Sequence, residues 1–498
     1  MIEPRSGRTP EATWTIAGAA VASTILGTAT GLAGLAREPG LCAAAAILSS
    51  FAFLRLCVAS QRGNVASLVG VFCCFHILYG LSGPLAVMLG ADLTPVFLGP
   101  YAPVQFLTCY GIATAGFSLG LSMTVIGDRS APDTANRWRA SPSALGATAV
   151  LVAFSSSVME VVNVMRAGGP AILLEGKAAY QGAIADLGGT LPSDLTGSAA
   201  AALMGLAVGL GTSPRRRRAR SHVIWFLLGL APLLAAALIL GRRGLVVNWI
   251  VSGLLGYSFA GPPVRLRRSF VAATAAVYLA LGVVYANRSF VKLAIGGGDW
   301  LQVAKATVSP ERILVALNPA ANEFGAPFGN FSTYVQAGPQ PLALGTTYVR
   351  SLILPIPRWV YPGPKPPQVG VEFRDRFFPL VAGQGSIAGT AYSSILEGYV
   401  NFGIAGLGLV YCILAIVLGR LERWRRTRPA PAFGVFYALL GSGVIAFHRS
   451  DFADSLVITA IFGGALAFAV WVVLEVLSFG AARTRPREQS DSLGVSRA

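Results

Sequence analysis

Apolar residues come in runs along most of this chain, broken by short polar segments. A run of roughly 17–25 apolar residues is long enough to cross the hydrocarbon of a bilayer as an α-helix. By that measure the pattern predicts spans at 14–35, 41–59, 65–81, 104–126, 144–164, 195–210, 222–240, 245–260, 270–285, 395–418, 432–447 and 456–479. The sixth is short and rich in Ala and Gly, so its ends are weakly marked. Between the ninth and tenth lies a long amphiphilic stretch, 286–394. The predicted fold is therefore an all-α polytopic membrane protein with about twelve transmembrane helices and one long external loop containing short helices. Its units are 1–285 (spans one to nine), 286–394 (the loop), 395–479 (spans ten to twelve) and a tail, 480–498.

A structureless loop of that length is unusual, so folded pieces are expected inside it. The run "VSPERILVALNPAANEF" reads as a helix: Ser309 can cap it, Pro310 suits its first turn, and Glu311 sits at its positive end. "GNFSTYVQA" reads as a second short helix. "LPIPRWVYPGPKPPQVG" has too many prolines for a helix and must run extended.

Composition sharpens this picture. Of 498 residues, 54% are hydrophobic and 12% are charged, and the mean hydropathy is +0.62. Soluble domains carry about 25% charged residues, so too little polar surface is present to cover a water-soluble globule. A cytosolic enzyme, a secreted disulfide scaffold and a disordered regulator are excluded. The six cysteines lie inside apolar runs and read as packing residues. The net charge of +17 is explained by topology and does not require nucleic acid, because Lys and Arg collect on cytoplasmic loops. With the N-terminus inside, the inner segments hold 23 Lys and Arg and the short outer loops hold six. Both termini are thus expected in the cytoplasm, in a cytoplasmic (inner) membrane, with 286–394 on the outer face. No small-residue cleavage site follows the first run, which is read as a span and not as a removed signal.

The chain has no Walker A, CxxC, HExxH or dinucleotide fingerprint, and only three histidines: His76, His222 and His448. No cofactor and no metal are expected. Charged groups at outer membrane depth are the informative residues, since they are costly unless paired or wet. Five places carry them. "GRRG" puts Arg242 and Arg243 at an outer turn, either gripping phosphate with a planar fork or snorkelling to lipid. "IPRWVYPGPKP" holds Arg358 and Lys365 on a proline-stiffened backbone, with an interfacial anchor as the alternative. "EFRDRF" (Glu372, Arg374, Asp375, Arg376) reads as a loop that is either a cation source or a solvated ion-pair cluster. "SSILEGYVNFG" sets Glu397 and Asn401 on one helix face, where the carboxylate is a candidate general base or an arginine's partner. "FHRSDF" offers His448, Arg449 and Asp451 at a late outer turn, as proton acceptor and cation or as a helix cap. Cations with a few carboxylates at one external membrane surface suit a lipid-linked diphosphate leaving group, whose developing charge they offset.

The order of these features resembles the oligosaccharide repeat unit polymerases, the Wzy-type O-antigen and exopolysaccharide polymerases. The resemblance rests on Arg243-Gly244 at an outer turn, the long loop with "IPRWVYPGPKP", "EGYVNFGIAGLG" opening a span, and "HRSDF" at a late turn. It runs from about position 241 to 451 and implies a membrane glycosyltransferase. Such an enzyme moves a growing chain from an undecaprenyl-diphosphate carrier to a sugar hydroxyl of the next undecaprenyl-diphosphate-linked oligosaccharide, without a nucleotide sugar or a required metal. Its implied partners are that lipid-linked oligosaccharide, membrane lipids, and flippase and chain-length regulator proteins, with no nucleic acid. Carried across by the resemblance, Arg243 and Arg358 match the family's outer arginines and Lys365 its Lys-Pro step. Glu397 and Arg449 match acidic and basic positions near the late spans. Arg242, which doubles the first arginine, and the extra proline in "YPGPKP" depart from the pattern. Arg242, Arg243, Arg358, Lys365, Arg374 and Arg449 are thus the expected diphosphate ligands, and Glu397, His448 and Asp451 the expected catalytic groups.

Three other readings compete. An O-antigen ligase shares the donor chemistry and differs in acceptor. A lipid-linked oligosaccharide transporter or flippase would carry internal repeats and ionisable groups near the midplane; no repeat is visible, and Arg55, Glu160 and Glu475 are scattered. A scaffold in an export complex would tolerate loss of Arg243 and Arg358.

Overall fold

The computed structural model describes residues 10–90, 102–125, 141–175, 179–180, 182–183, 193–211, 221–240, 242–267, 324–356, 360–378, 391–427, 430–450, 452 and 457–483. The regular structure among these residues is helical, with one isolated antiparallel bridge between Asn64 and Arg265. The helices are α1 (Pro10–Leu35), α2 (Pro39–Ser60), α3 (Leu68–Met88), α4 (Ala102–Val125), α5 (Pro142–Arg166), α6 (Ala171–Glu175), α7 (Ser193–Gly211), α8 (Ser221–Ile239) and α9 (Arg243–Ala260). Then come the short α10 (Ala326–Gln336), α11 (Thr346–Ile353) and α12 (Val369–Phe377), and finally α13 (Ser394–Thr427), α14 (Pro431–Arg449) and α15 (Ile458–Arg483). Nine helices among the described residues are long and apolar enough to cross a membrane, and Gly244–Ala260 and Thr459–Val473 are shorter apolar helices. The predicted spans fall on these, except 270–285, which lies outside the described residues.

Helices in lipid gain little from hydrophobic association and pack through small residues that let backbones approach. In one group α4 lies among α1, α2, α3 and α13; in a second, α7 lies among α5, α8 and α9; α14 joins the two groups. Gly116 and Gly120 of α4 press on the backbone of Gly408 and Cys412 in α13, leaving no room for a Cβ. The Ala/Gly-rich sixth span is α7, nearly all buried, because small side chains are what let it occupy the centre of its group.

The loop between the ninth and tenth spans, where described, is packed against the bundle. Helix α10 forms where "GNFSTYVQA" predicts one; its Phe328 and Phe331 are fully buried, edge-on to Phe106 of α4 at 5.4 and 5.2 Å. The helix expected at "VSPERILVALNPAANEF" lies almost wholly outside the described residues. The proline-rich run is non-helical over its described residues 360–368, as expected, but "EFRDRF" forms α12 and not a loop. Gln368 caps the start by backbone geometry, Glu372 sits in the first turn and Arg374 and Arg376 in the last, so the charges complement the helix dipole while Val369 and Phe373 bury.

The tenth span differs most from the prediction of a single crossing. Helix α13 is broken at Gly403, whose backbone (φ 66, ψ −164) is accessible in practice only to glycine. Ser394 Oγ lies 2.8 Å from Tyr411 Oη, whereas a straight helix would separate those residues by about 25 Å. Residues 394–402 therefore fold back along 404–411 as a half-helix whose N-terminus is buried inside the bundle. Irregular backbone at membrane depth is tolerated only where protein covers it, and Tyr392, Ser393 and Ser394 are all buried.

At the opposite end, the fully buried Glu422 gathers four helices. It accepts hydrogen bonds from the Leu68 amide (2.8 Å) at the start of α3 and from the Tyr437 hydroxyl of α14, and pairs with Arg425 at 3.0 Å. Arg425 also donates to the Ser258 carbonyl of α9 at 3.2 Å. The third span begins at Leu68 and not at Val65 because residues 64–66 are used here: the Val65 amide donates to Val264 O at 2.8 Å, and Ser67 Oγ caps α3.

Glu422→Ala should cost about 3–5 kcal/mol, the usual penalty for stranding one partner of a buried pair. Thermal unfolding in detergent checks this: the midpoint should fall in Glu422→Ala and recover in part in Glu422→Gln, which keeps an acceptor for the Leu68 amide.

Candidate active site

The helix ends that carry Arg242, Asp194 and Arg449 lie together, at the end of the bundle expected to face outward. The α8–α9 turn is closed by the Arg242 amide on Ala237 O (2.7 Å), and Arg243 is the first residue of α9. No side chain of Arg242 caps the start of α9, and the Leu245 amide donates to Arg242 O at 3.0 Å, which leaves Arg243 and Gly244 as the first positions where an anion could meet the helix start. Arg449, the last residue of α14, lays Nη1 over the same turn; a Cβ on Gly244 would be 3.7 Å from it.

Arg242 itself is taken. Its Nη1 lies 3.5 Å from Glu160 Oε1 of α5 and 3.5 Å from Asp194 Oδ1 of α7, and its guanidinium stacks over the Tyr180 ring at 4.8 Å. Glu160, only 2% exposed, also accepts from Ser193 Oγ (2.7 Å) and Tyr180 Oη (3.3 Å). The sequence left Glu160 as a scattered midplane charge; here it anchors the arginine predicted to hold phosphate. Burial, then the Glu160 charge, pushes the Tyr180 phenol up to about 12.

Lys365 and Arg374 are likewise engaged by the protein. Lys365 Nζ donates to the Leu354 carbonyl at 2.5 Å and so caps the end of α11. Arg374, 7% exposed, holds Asp375 Oδ1 with Nε and Nη2 at 2.8 and 2.5 Å; Arg350 pairs with Glu372 at 2.6 Å and Arg376 reaches Gln340. "EFRDRF" is an ion-pair cluster. Arg358 and Asp451 lie outside the described residues.

Glu397 is fully buried on the half-helix, and both its oxygens are occupied: Oε1 by Thr347 Oγ1 and Oε2 by the Phe452 amide, each at 2.8 Å. Asn401, four residues on, donates to Thr347 Oγ1 (2.6 Å) and accepts from the Gly345 amide (2.9 Å). The predicted shared face exists, and it ties α11 and residue 452 to the half-helix. Each oxygen of the predicted base thus accepts one hydrogen bond from the protein, which orients the carboxylate. Burial, with the Glu397 charge adding to it, pushes the neighbouring Tyr348 phenol well up.

His448, 3% exposed, is held differently. Its Nε2 lies 3.3 Å from the Phe72 carbonyl of α3, which can only accept, so Nε2 carries the proton and Nδ1 the lone pair. That Nδ1 is buried and has no hydrogen-bond partner among the described residues. The ring lies edge-on to Phe72 (4.7 Å) and 5.5 Å from His76, and lines a small cavity with His76, Tyr79, Ser393, Ser394 and Tyr411. A fixed tautomer with an unpaired lone pair, on a ring that lines a cavity, is the arrangement a proton acceptor needs.

Residues 384–478 match the family described as O-antigen polysaccharide polymerase Wzy. The match covers about a fifth of the chain: the buried entry to the half-helix, all of α13 and α14, and most of α15. It therefore contains Glu397, His448 and Arg449, while Arg242, Arg243, Lys365 and Arg374 lie outside it. No curated protein and no solved structure matches the chain. Among the described residues no group of His, Cys, Asp and Glu could hold a metal ion.

Sequence reasoning missed His76, Tyr79 and Tyr411, and the partners of Arg242. The one signal for His76 was its position inside an apolar span, where an imidazole must find a partner.

Arg242→Ala should destabilise the protein by about 3–5 kcal/mol by stranding Glu160, and Glu160→Gln placed on that background should restore part of the loss; a double-mutant cycle of thermal unfolding measures the coupling. Between about pH 10 and pH 12 the Tyr180 phenol ionises in the unfolded chain but not in the fold. Stability should therefore fall as pH rises through that window, and Tyr180→Phe should flatten the slope.

Proposed function

We propose that this protein is a membrane glycosyltransferase of the polymerase type, joining undecaprenyl-diphosphate-linked oligosaccharide units into a surface polysaccharide at the outer face of the cytoplasmic membrane. The observation that carries the reading is that the segment matching the Wzy family ends its middle helix on His448 and Arg449. These two consecutive residues face different tasks. Arg449 overhangs the uncapped start of α9, and His448, with its unpaired Nδ1, lines the cavity beside α3.

In this reading the donor's diphosphate lies against the first amides of α9, with Arg449 and Arg243 opposing its charge. The acceptor's hydroxyl oxygen attacks the anomeric carbon of the donor sugar. The bond from that carbon to the diphosphate oxygen breaks, and its electron pair leaves with the undecaprenyl diphosphate. The hydroxyl proton passes to His448 Nδ1. The imidazolium so formed is oriented by its Nε2–H bond to the Phe72 carbonyl. Arg242, Lys365, Arg374 and Glu397 act by shaping the site: each is bonded to its own protein partner. Arg358 and Asp451 remain proposed contributors from the sequence pattern.

One observation favours a second reading. A broken helix with a buried half-helix N-terminus is also how transporters build substrate sites, so movement of the lipid-linked oligosaccharide across the membrane is the alternative.

Purified protein given lipid-linked repeat units should build a ladder of polymer lengths. Arg449→Ala and Arg243→Ala should slow it by about 10²–10³-fold, as loss of one charge-stabilising donor does, and His448→Gln by about 10²–10⁴-fold, each leaving single repeats. Gel electrophoresis of the released glycans reads the result. Wild-type ladders from both arginine variants would remove the diphosphate assignment, and transbilayer movement without any ladder would favour the transporter.

A further inference from the structure

The cavity in front of His448 has an unusual balance of donors and acceptors. His76 of α3 donates Nε2–H to Thr114 Oγ1 at 3.1 Å, because the Thr114 hydroxyl spends its own proton on the Tyr110 carbonyl at 2.8 Å. The lone pair of His76 is therefore on Nδ1, as it is in His448. Both rings are almost wholly buried, their centroids are 5.5 Å apart, and both line the same cavity. Phe72 and Tyr110 stack against His76 at 5.4 and 4.7 Å and fix its plane.

Two imidazoles with Nδ1 lone pairs line one small, partly open cavity of mixed polar and apolar walls, and such lone pairs call for O–H donors. A sugar hydroxyl has one; a water molecule has two, and two lone pairs left to accept. The cavity has room for about one water molecule, and a water is stable in a cavity that offers two to four polar partners. Ser393, at the buried N-terminus of the half-helix, and Tyr79 supply the remaining polar groups. An acceptor nitrogen buried without any donor would be costly in this interior.

We propose that this cavity is a built site for one water molecule, which bridges His76 and His448 and carries the acceptor's proton to His448, with His76 as the positioning residue. The relay rests on the glycosyltransferase reading above; the water site does not. The attacking hydroxyl gives its proton to the water oxygen as the water gives one of its own to His448 Nδ1, so the water is regenerated and the imidazole becomes imidazolium. The second O–H, held by His76, sets the water's orientation. His76 lies well outside the segment that matches the polymerase family, so the site joins the two parts of the chain.

The test combines spectroscopy with kinetics on the full-length protein in bilayers. With only three histidines in the chain, solid-state ¹⁵N spectra of histidine-labelled protein can be assigned with single variants. Nε2-protonated rings are expected at 76 and 448, with His448 Nδ1 correlated to water protons. In His76→Gln, which keeps a donor for Thr114 but lacks the ring lone pair, that correlation should weaken. Its turnover should drop on the order of 10- to 100-fold with KM unchanged, as a misplaced reacting group does. The dependence of wild-type rate on the deuterium fraction of the solvent should be curved, since two protons move together, and should straighten in His76→Gln. A His448 Nδ1 with no water correlation overturns the proposal, whatever the activity. A linear dependence in the wild type, or unchanged turnover in His76→Gln, overturns the relay and places the sugar hydroxyl directly on His448. A water-correlated Nδ1 in a protein that builds no polymer would keep the site and remove the polymerase reading.

Discussion

A polar group buried away from water must find its partner inside the protein, and that constraint organises this molecule. Among the described residues three carboxylates lie at or below 2% exposure: Glu160, Glu397 and Glu422. Each is met by two or more donors, at least one of them from a distant segment of the chain, so each acts as a knot. Glu422 ties α3, α9, α13 and α14 at one end. Glu160 ties α5 to the α8–α9 turn through Arg242. Glu397 ties the half-helix to α11 and to the chain after α14. Stranding any one partner costs far more than the pair contributes by itself, so these positions fix where helix ends lie relative to one another.

The break in α13 has its consequence at the same site. Because Gly403 turns the chain back, Ser393 and Ser394 arrive inside the bundle beside His448, Tyr411 and His76. A continuous helix would have carried those serines roughly 25 Å away along its axis. The fold-back also places Glu397 where the 343–347 segment and the Phe452 amide can reach it. His448 is the contrast to the three carboxylates. Its Nε2 is satisfied and its Nδ1 is not, and an open lone pair on a proton-accepting ring beside a cavity marks chemistry more clearly than a paired charge does.

The arginines show why charge position alone is a poor guide to a binding site. The sequence singled out six cations for one ligand. Arg242, Lys365 and Arg374 proved to be held by Glu160 and Asp194, by a backbone carbonyl, and by Asp375. Arg449 reaches the start of α9 from another helix, with Nη1 over Gly244. A partner distant in sequence is invisible to a reading by motif: Glu160 precedes Arg242 by more than eighty positions, and nothing in "GRRG" announces it.

What the chain determined by itself is the part governed by local chemistry. Apolar runs of membrane length set the helices, the prolines of 361–368 set an extended path, and "GNFSTYVQA" set a short helix, because length, propensity and backbone restriction act over a few residues. Charge asymmetry grouped the loops into two sets, and helix ends from within each set meet in the fold. Tertiary structure alone decided which charges are spent on one another, where α13 breaks, and that His76 and His448, some 370 positions apart, share one cavity. Those outcomes depend on which helix faces meet, and facing is settled by the close approach of small residues such as Gly116 to Gly408 across the bundle, a contact with no local signature.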